Sequence, residues 1–327
     1  DWITHHFSFL LNYVFLLSIL NETTKMNKNS TFAIWFSTAR PKTLPLALAS
    51  IIIGSALAYW AGIFDLITTL LAFITTILLQ VLSNFANDYG DHVKGSDTAE
   101  RIGPLRAIQH GAITGKQLKM AVMVLSALSF ISGSALSFYA YEGIEDLLVF
   151  LGLGVISIVA AITYTVGKKA YGYLGLGDLF VLIFFGFVAV IGVFYLQAHS
   201  LPAMIFIPAF GCGLLSVAVL NINNLRDINQ DRKAGKNTLI VRIGSKNGRI
   251  YHAILLVLAV VSYLIFAILN FEHWYNYLFL LAVPLLVKHG LFVYRHQDPI
   301  ELRPILGQMA GLALITNLLF SLGIFLG

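Results

Sequence analysis

The sequence predicts an all-α polytopic membrane protein that crosses the bilayer nine times, and three observations support this fold class. Of its 327 residues, 58% are hydrophobic and only 11% are charged, whereas about 25% of the residues in a soluble domain are charged. Nine apolar runs are each about as long as a transmembrane helix. The short connections between these runs alternate between basic and acidic. An integral membrane protein accounts for all three observations.

The nine apolar runs are predicted to be helices. At a rise of about 1.5 Å per residue, about 20 residues cross the hydrocarbon of a bilayer. None of the runs alternates apolar and polar residues as the strands of a membrane barrel do. In chain order, the predicted spans are 43–62, 67–86, 118–140, 147–166, 178–197, 201–222, 250–270, 275–294 and 304–325.

Residues 1–32 are interpreted as an N-terminal extension for which we expect no function. The apolar stretch 7–20 is too short for a confident span, and it lacks the basic region and cleavage site of a signal peptide. An interfacial anchor helix is the alternative for this stretch. Residues 33–327 are predicted to form one transmembrane domain. Its single cysteine, Cys212, excludes a disulfide within the chain.

The distribution of Lys and Arg predicts the orientation of the chain. The connections at one end of the predicted bundle hold, in or beside them, 18 of the 21 Lys and Arg. The connections at the other end have no Lys or Arg and carry Asp65, Glu142, Glu145, Asp146 and Glu272. Because basic loops stay on the cytoplasmic side, we expect a protein of the cytoplasmic (inner) membrane. Its basic loops face the cytoplasm and its C-terminus lies outside.

Two stretches at the basic end combine acids and bases. Residues 84–106 read NFANDYGDHVKGSDTAERIGPLR and follow the second predicted span. Residues 223–239 read NNLRDINQDRKAGKNTL and follow the sixth. Both follow even-numbered spans, so both lie at the same membrane face, and both have asparagines before their aspartates.

Each stretch places two carboxylates on one face of a helix, provided that the helix continues past the apolar run. Asp88 and Asp91 are three residues apart, and the second pair, Asp227 and Asp231, is four apart. Mg²⁺ prefers oxygen ligands and commonly binds one or two carboxylates together with substrate phosphates. Two facing acid pairs would hold Mg²⁺ across one diphosphate, and these four aspartates are the predicted catalytic residues. The predicted metal ligands are Asn87, Asp88, Asp91, Asp97, Asp227 and Asp231.

Basic residues near the acid pairs are candidates for binding diphosphate. Arg binds phosphate oxygens through two hydrogen bonds and Lys through its point charge, and both stabilise a leaving diphosphate. Diphosphate leaves easily from an allylic carbon because the resulting cation is delocalised, and an apolar bundle keeps water from that cation. Tyr164 is a candidate for lining such a cavity. The predicted phosphate contacts are Arg101, Arg106, Lys168 and Lys236.

The same residues also allow simpler interpretations. One acidic pair on a loop is usually a solvated surface, but two pairs with the same Asn-then-Asp order at one face favour a site. Basic residues also serve as topology signals. That interpretation is favoured for Lys116, Lys119, Lys246 and Arg249.

The two aspartate stretches resemble the motifs NDxxD and DxxxD of the UbiA-type intramembrane prenyltransferase superfamily, where this chain has NDYGD and DINQD. Four longer stretches look like the 1,4-dihydroxy-2-naphthoate polyprenyltransferases of menaquinone synthesis. These are ARPKTLPLALA, NDYGDHVKGSDTAERIGPLRAIQHGAIT, YGYLGLGDLFVLIFFGFVAVIGVFYLQ and NNLRDINQDRKAGKNTLIVRIG. The resemblance covers the chain from about residue 33 onward.

This resemblance implies a central cavity that opens laterally to lipid, with Mg²⁺ bound by the two motifs. The implied reaction transfers a polyprenyl group from an allylic polyprenyl diphosphate to 1,4-dihydroxy-2-naphthoate. CO₂ and diphosphate are released, and the product is demethylmenaquinone in its reduced, quinol form. The signature also includes Asn84, Asn223, Asn224, Arg226 and Lys236. One departure follows Tyr164, where related chains have a Gly-Pro-rich turn and this chain has TVGKK; Lys168 there either binds diphosphate or only marks topology.

Two alternatives remain at this point. The same fold acts on other acceptors, such as 4-hydroxybenzoate, homogentisate or a glycerol-phosphate lipid. An ion-coupled transporter would place charged residues or broken helices inside its spans, whereas Lys288 is the main charge inside the predicted spans. The expected partners are the polyprenyl diphosphate, the naphthoate and the lipid bilayer, with no nucleic acid. The isoprenoid chain length and the oligomeric state stay open.

Overall fold

The computed structural model describes residues 30–96, 102–103 and 105–327. All regular structure in these residues is helical, and nine of their helical segments are long and apolar enough to cross a membrane. The predicted number and order of spans are confirmed for this part of the chain. Spans 1 to 9 are Thr31–Trp60, Leu66–Lys94, Gly115–Ala140, Ile144–Thr163, Gly177–Ala198, Ala203–Lys233, Leu239–Asn270, Trp274–Arg295 and Pro299–Leu326.

Span 1 is interrupted near its start, at the basic end of the bundle. A short helix, Thr31–Ala39, is separated from the main helix, Leu44–Trp60, by Arg40 in the left-handed conformation with φ of 52°. Pro41 follows, and a proline disfavours the helical conformation in the residue before it, so the short helix does not run on into the main helix. The predicted boundary between extension and domain, at residue 32, falls inside the short helix.

Spans 2 and 6 continue beyond the ends of their apolar runs. Span 2 reaches Lys94 and ends where Gly95 adopts φ of 65°, a left-handed conformation that glycine accepts without a steric penalty. Span 6 reaches Lys233, and Gly235 follows with φ of 69°. Both aspartate stretches therefore begin on helices, as the spacing of their acids requires.

The apolar side chains pack into two main clusters. The larger joins spans 1 and 5 to 9 and includes Leu57, Phe194, Leu215 and Phe320. The smaller joins spans 2, 3 and 4 with the short helix before Arg40 and is centred on residues such as Leu82. Span 9 packs along span 1, which brings early and late parts of the chain together. Spans 2 and 6 contribute to different clusters, and each carries one acid pair near its end at the basic side of the bundle.

Two glycines let span 5 lie close to its neighbours. A Cβ atom on Gly186 would be 2.7 Å from the carbonyl oxygen of Ala209 in span 6, and one on Gly54 would be 2.6 Å from that of Val190. Such contacts through small residues are typical of helices packed in a bilayer. The middle of span 5, Leu182–Ile191, is wound as a π-helix. Spans 1, 5 and 6 therefore pack closely against one another.

Large apolar side chains cover the outer surface of the bundle. Met123, Ile131, Leu148 and Ile156 on spans 3 and 4 are each more than half exposed. A surface of this kind is unstable in water and stable in hydrocarbon. The chain is an integral membrane protein.

Candidate functional site

The first acid pair, Asp88 and Asp91, lies near the end of span 2 and is buried, with 3% and 5% exposure. Arg106, from the connection to span 3, reaches both carboxylates. Its Nε atom lies 3.2 Å from Asp88 Oδ1, and its Nη2 donates to Asp91 Oδ2 at 2.8 Å. Its Nη1 donates to the backbone oxygen of Asn87 at 3.1 Å. One guanidinium thus compensates two buried carboxylates, whose charge would otherwise be costly to bury.

A second guanidinium reaches Asp88 from the interruption in span 1. The Nη2 atom of Arg40 donates to Asp88 Oδ1. Asn84 holds this turn in place because its Nδ2 donates to the backbone oxygen of Ala39 at 2.9 Å and to Thr43 Oγ1 at 3.1 Å. Asn84 therefore acts on the site by positioning Arg40.

The second acid pair, Asp227 and Asp231, lies near the end of span 6, and each residue is 8% exposed. Arg226 donates to both oxygens of Asp227, at 2.7 and 2.6 Å, and to Asn223 Oδ1 at 2.8 Å. Asn224 is 2% exposed, and its Oδ1 has no hydrogen-bond partner among the described residues. A buried amide oxygen without a partner is uncommon and is available to a cation.

Tyr173 and Lys236 connect the two acid pairs. The Tyr173 hydroxyl donates to Asp91 Oδ1 at 2.8 Å, and its backbone oxygen accepts from the N–H of Asn237 at 3.0 Å. The Nζ atom of Lys236 lies 3.8 Å from Asp231 Oδ1 and 5.5 Å from the centre of the Tyr173 ring. Lys94 Nζ lies above the same ring, 3.6 Å from its centre. The two acid pairs are thus parts of one site.

Charges in the site keep Lys236 and Tyr173 protonated near neutral pH. Burial alone would lower the pKa of Lys236, but the carboxylates of Asp231 and Asp91 raise it above its ordinary value. Burial, and then Asp91, raise the pKa of Tyr173. Lys236 is therefore a cation, and the Tyr173 hydroxyl is a hydrogen-bond donor.

The glycine of NDYGD allows the connection after span 4 to touch the first acid pair. A Cβ atom on Gly90 would lie 2.5 Å from Thr165 Oγ1. That hydroxyl donates to the backbone oxygen of Ala86 at 3.0 Å and lies 3.3 Å from Asn87 Oδ1. Any larger residue at position 90 would push this connection away from span 2.

Four other predicted residues differ in their placement. Tyr164 is half-buried and packs edge-on against Tyr171, with 5.3 Å between ring centres. Burial, and then the carboxylates of Asp178, Asp231 and Asp91, raise its pKa. Lys168 is exposed on the turn after span 4 and contacts neither acid pair among the described residues. Asp97 and Arg101 lie outside the described residues.

Three side chains of the site were not assigned to it from the sequence. From the sequence, Arg40 and Lys94 count only among the basic residues of the loops, and no role is predicted for Tyr173. The stretches ARPKTLPLALA and YGYLGLGD contain Arg40 and Tyr173 and carry the resemblance, but no short spacing joins either residue to the four aspartates of the acid pairs. Such contacts over long sequence separations depend on the packing of the spans.

The donor atoms of the site fit Mg²⁺. The four buried carboxylates and the Asn224 amide offer only oxygen, which suits a hard cation. The described residues contain no group of three or more His, Cys, Asp or Glu at metal-binding separation. The acids instead form pairs, and one or two carboxylates plus substrate phosphates are the usual protein contribution to a Mg²⁺ site.

A profile of the UbiA prenyltransferase family matches residues 47–312. The chain belongs to this family. The match runs from span 1 to span 9 and includes both acid pairs. It therefore covers every described residue of the candidate site except Arg40.

Individual proteins are similar to the chain over most of its length. The 1,4-dihydroxy-2-naphthoate octaprenyltransferase of Haemophilus influenzae is 61% identical over 91% of this chain and 98% of its own length. An apo structure of a UbiA homolog from Aeropyrum pernix K1 has a TM-score of 0.64 at 17% identity, covering 86% of this chain and 97% of that one. A UbiA homolog from Archaeoglobus fulgidus, bound to DMAPP and Mg²⁺, has a TM-score of 0.53 at 16% identity, covering 88% and 99%. The similarity to these solved structures and the family match indicate the same fold.

Proposed function

We propose that this prenyltransferase transfers a polyprenyl group from an allylic polyprenyl diphosphate to 1,4-dihydroxy-2-naphthoate, with release of CO₂ and diphosphate. Two buried acid pairs, from spans 2 and 6, lie together with five cationic side chains at one membrane edge. This arrangement is the main support for the proposal. The name of the Haemophilus influenzae relative supports the choice of acceptor.

Mg²⁺ is the proposed cofactor, and the DMAPP and Mg²⁺ bound to the Archaeoglobus fulgidus homolog support it. Bound Mg²⁺ would supply Lewis-acid stabilisation of the departing diphosphate. The residues proposed to hold it are the four aspartates, with the amide oxygens of Asn87 and Asn224 as further donors. Asp97 remains a predicted ligand outside the described residues.

The cations of the site would bind the diphosphate and stabilise the charge that develops as it leaves. Arg106 and Arg40 both reach Asp88, and Lys236 lies beside Asp231 and the Tyr173 ring. Each can donate to a phosphate oxygen placed beside the acids, and preorganised donors of this kind typically contribute a factor of about 10² to 10³ in rate. Asp91 is held between Arg106 and the Tyr173 hydroxyl, both of which donate to its carboxylate.

The apolar bundle would hold the prenyl chain and exclude water from the allylic cation. The carbon–oxygen bond to diphosphate breaks with both electrons going to the leaving group. The ring carbon that carries the carboxylate forms the new carbon–carbon bond, and the electrons of the broken carbon–carboxylate bond return to the ring as CO₂ leaves. The laterally open central cavity that this reaction calls for remains a prediction.

The site is proposed to face the cytoplasm from the cytoplasmic membrane. The loops at the aspartate end carry nearly all the Lys and Arg, and those at the other end carry acids. This asymmetry supports cytoplasmic placement of the aspartates under the positive-inside rule. The C-terminus would then lie outside.

An assay in nanodiscs tests the proposed function. Purified protein is mixed with an allylic polyprenyl diphosphate, Mg²⁺ and either 1,4-dihydroxy-2-naphthoate or 4-hydroxybenzoate, and products are followed by mass spectrometry. A prenylated naphthalene ring that appears together with CO₂ supports the proposal. Product with 4-hydroxybenzoate alone would keep the site assignment and overturn the acceptor.

The Tyr173→Phe variant is expected to lower kcat/KM by about tenfold. The substitution keeps the ring under Lys94 but removes the hydrogen bond to Asp91, and a hydrogen bond to a charged group contributes about 1.5–3 kcal/mol. Steady-state kinetics in nanodiscs measure the effect. A matched control is Tyr195→Phe, which removes a 2.8 Å hydrogen bond to Asp146 at the other end of the bundle. Equal activity of the Tyr173→Phe and wild-type proteins would contradict a positioning role.

A further inference from the structure

A basic cavity lies at the same membrane end as the acid pairs but between spans 7 and 8. Its volume is about 250 Å³, and it is lined by Lys246, Arg249, Tyr294 and Gln297. Among the described residues, two cations and two neutral polar side chains therefore line it, with no carboxylate. The proposed prenyl transfer uses none of these residues.

Arg249 is a buried cation with no ion pair to any residue that the structure describes. It is 1% exposed, and its guanidinium donates to the backbone oxygens of Val293 and Gln297 and, at 3.4 Å, to Ser245 Oγ. These carbonyls lie at the end of span 8, where the helix dipole offsets only about half a positive charge. Glu301 is the carboxylate whose charge acts on Arg249, but the two form no ion pair among the described residues. An anion in the cavity would complete the compensation.

The cavity lies at the end of two exposed apolar helix faces, one on span 7 and one on span 8. Arg249 immediately precedes the apolar part of span 7, whose outer face includes Ile250 and Ile254 at 40% and 48% exposure. On span 8, Val287 and Leu291 are 54% and 47% exposed and lead to the cavity along the same side of the helix as Tyr294. A phosphate in the cavity would thus sit at the head of a continuous apolar face.

We propose that this cavity binds the phosphate group of an anionic membrane phospholipid whose acyl chains lie along the outer faces of spans 7 and 8. Basic pockets between transmembrane helices on the cytoplasmic side recognise lipid headgroups in this way. Lys246 supplies an exposed, mobile charge, and Arg249 supplies a fixed one. The apolar face below the cavity favours a lipid over a free phosphate, because a soluble anion gains nothing from it.

Native mass spectrometry of the full-length protein tests the proposal by titration with phosphatidylglycerol and with phosphatidylcholine. Wild-type protein is expected to prefer phosphatidylglycerol, and Lys246→Gln is expected to weaken that binding by about fivefold, the effect of one basic residue near an anionic surface. Lys119→Gln is the matched control, because Lys119 is equally exposed at the same end but on span 3. Lys246 is exposed and makes no ion pair with the described residues, so its replacement is expected to leave the fold intact.

Three outcomes would overturn the proposal. The first is equal phosphatidylglycerol binding by Lys246→Gln and wild-type protein. The second is equal loss in Lys119→Gln, which would indicate a general charge effect. The third is displacement of the lipid by millimolar inorganic phosphate, which would indicate a site for soluble anions. Prenyl transfer is measured on the same preparations and is expected to be unchanged in both variants, so failure of the lipid site and failure of the proposed function are distinguishable.

Discussion

Replacing Asp88 by Asn is expected to lower the rate of prenyl transfer by about 100- to 1,000-fold, the range found when one preorganised electrostatic group is lost from an active site. The change keeps the size of the side chain but removes the negative charge. Arg40 and Arg106 then each lose a carboxylate contact, whereas the contact of Arg106 with Asp91 remains. The first acid pair would therefore hold a cation weakly.

The control for this variant is Asp146→Asn, at the opposite end of the bundle. Asp146 also accepts a hydrogen bond, from Tyr195 at 2.8 Å, and is also near a basic group, His199, at 3.5 Å. Size-exclusion chromatography and thermal unfolding in detergent show whether each variant is folded. A folded Asp88→Asn protein with wild-type turnover would remove Asp88 from the catalytic centre.

Removal of divalent metal with EDTA is expected to abolish turnover, with a loss of at least about 100-fold. Without a metal, four carboxylates face the diphosphate, and like charges at this distance repel. Added Mg²⁺ is expected to restore the rate. The concentration needed for half of full activity should rise in the Asp231→Asn variant, because that variant has one ligand fewer.

Metal binding is also measured without turnover, by isothermal titration with Mg²⁺ in the presence of inorganic diphosphate. Wild-type protein should bind Mg²⁺ in this titration, and the Asp88→Asn and Asp231→Asn variants should bind it less tightly. Full activity in EDTA, with no Mg²⁺ binding in the titration, would be incompatible with a metal at the two acid pairs.

The sequence was sufficient for the spans and for the acid pairs because both are local patterns. Each span is a continuous apolar run, and the acids of each pair are three or four residues apart on one helix. Their burial follows from the same pattern, since Asp88 and Asp227 continue the inward faces of spans 2 and 6. The apolar runs do not show that these helices extend about 8 to 11 residues further, because a polar helix end has no periodically spaced apolar residues to mark it.

The remaining parts of the site depend on tertiary packing. Arg40 reaches Asp88 only because Asn84 holds a left-handed turn 45 residues away in sequence. Tyr173 reaches Asp91 across 82 residues. Lys168, by contrast, is predicted to contact phosphate because of its charge beside a span end, but in the structure it lies on an exposed turn. Charge and position relative to a span do not say which way a loop folds.

The packing of span 9 along span 1 has a consequence for how the protein is made. Span 1 enters the membrane early in synthesis, yet its partners in the larger cluster are spans 5 to 9. Its contacts with span 2 can form early, but its contacts with span 9 can form only after about 250 further residues are synthesised. Arg40 and Asp88 can meet before that point, because the Asn84 hydrogen bonds that hold the Arg40 turn also join spans 1 and 2. The first acid pair can therefore assemble while the face of span 1 that packs on span 9 is still exposed to lipid.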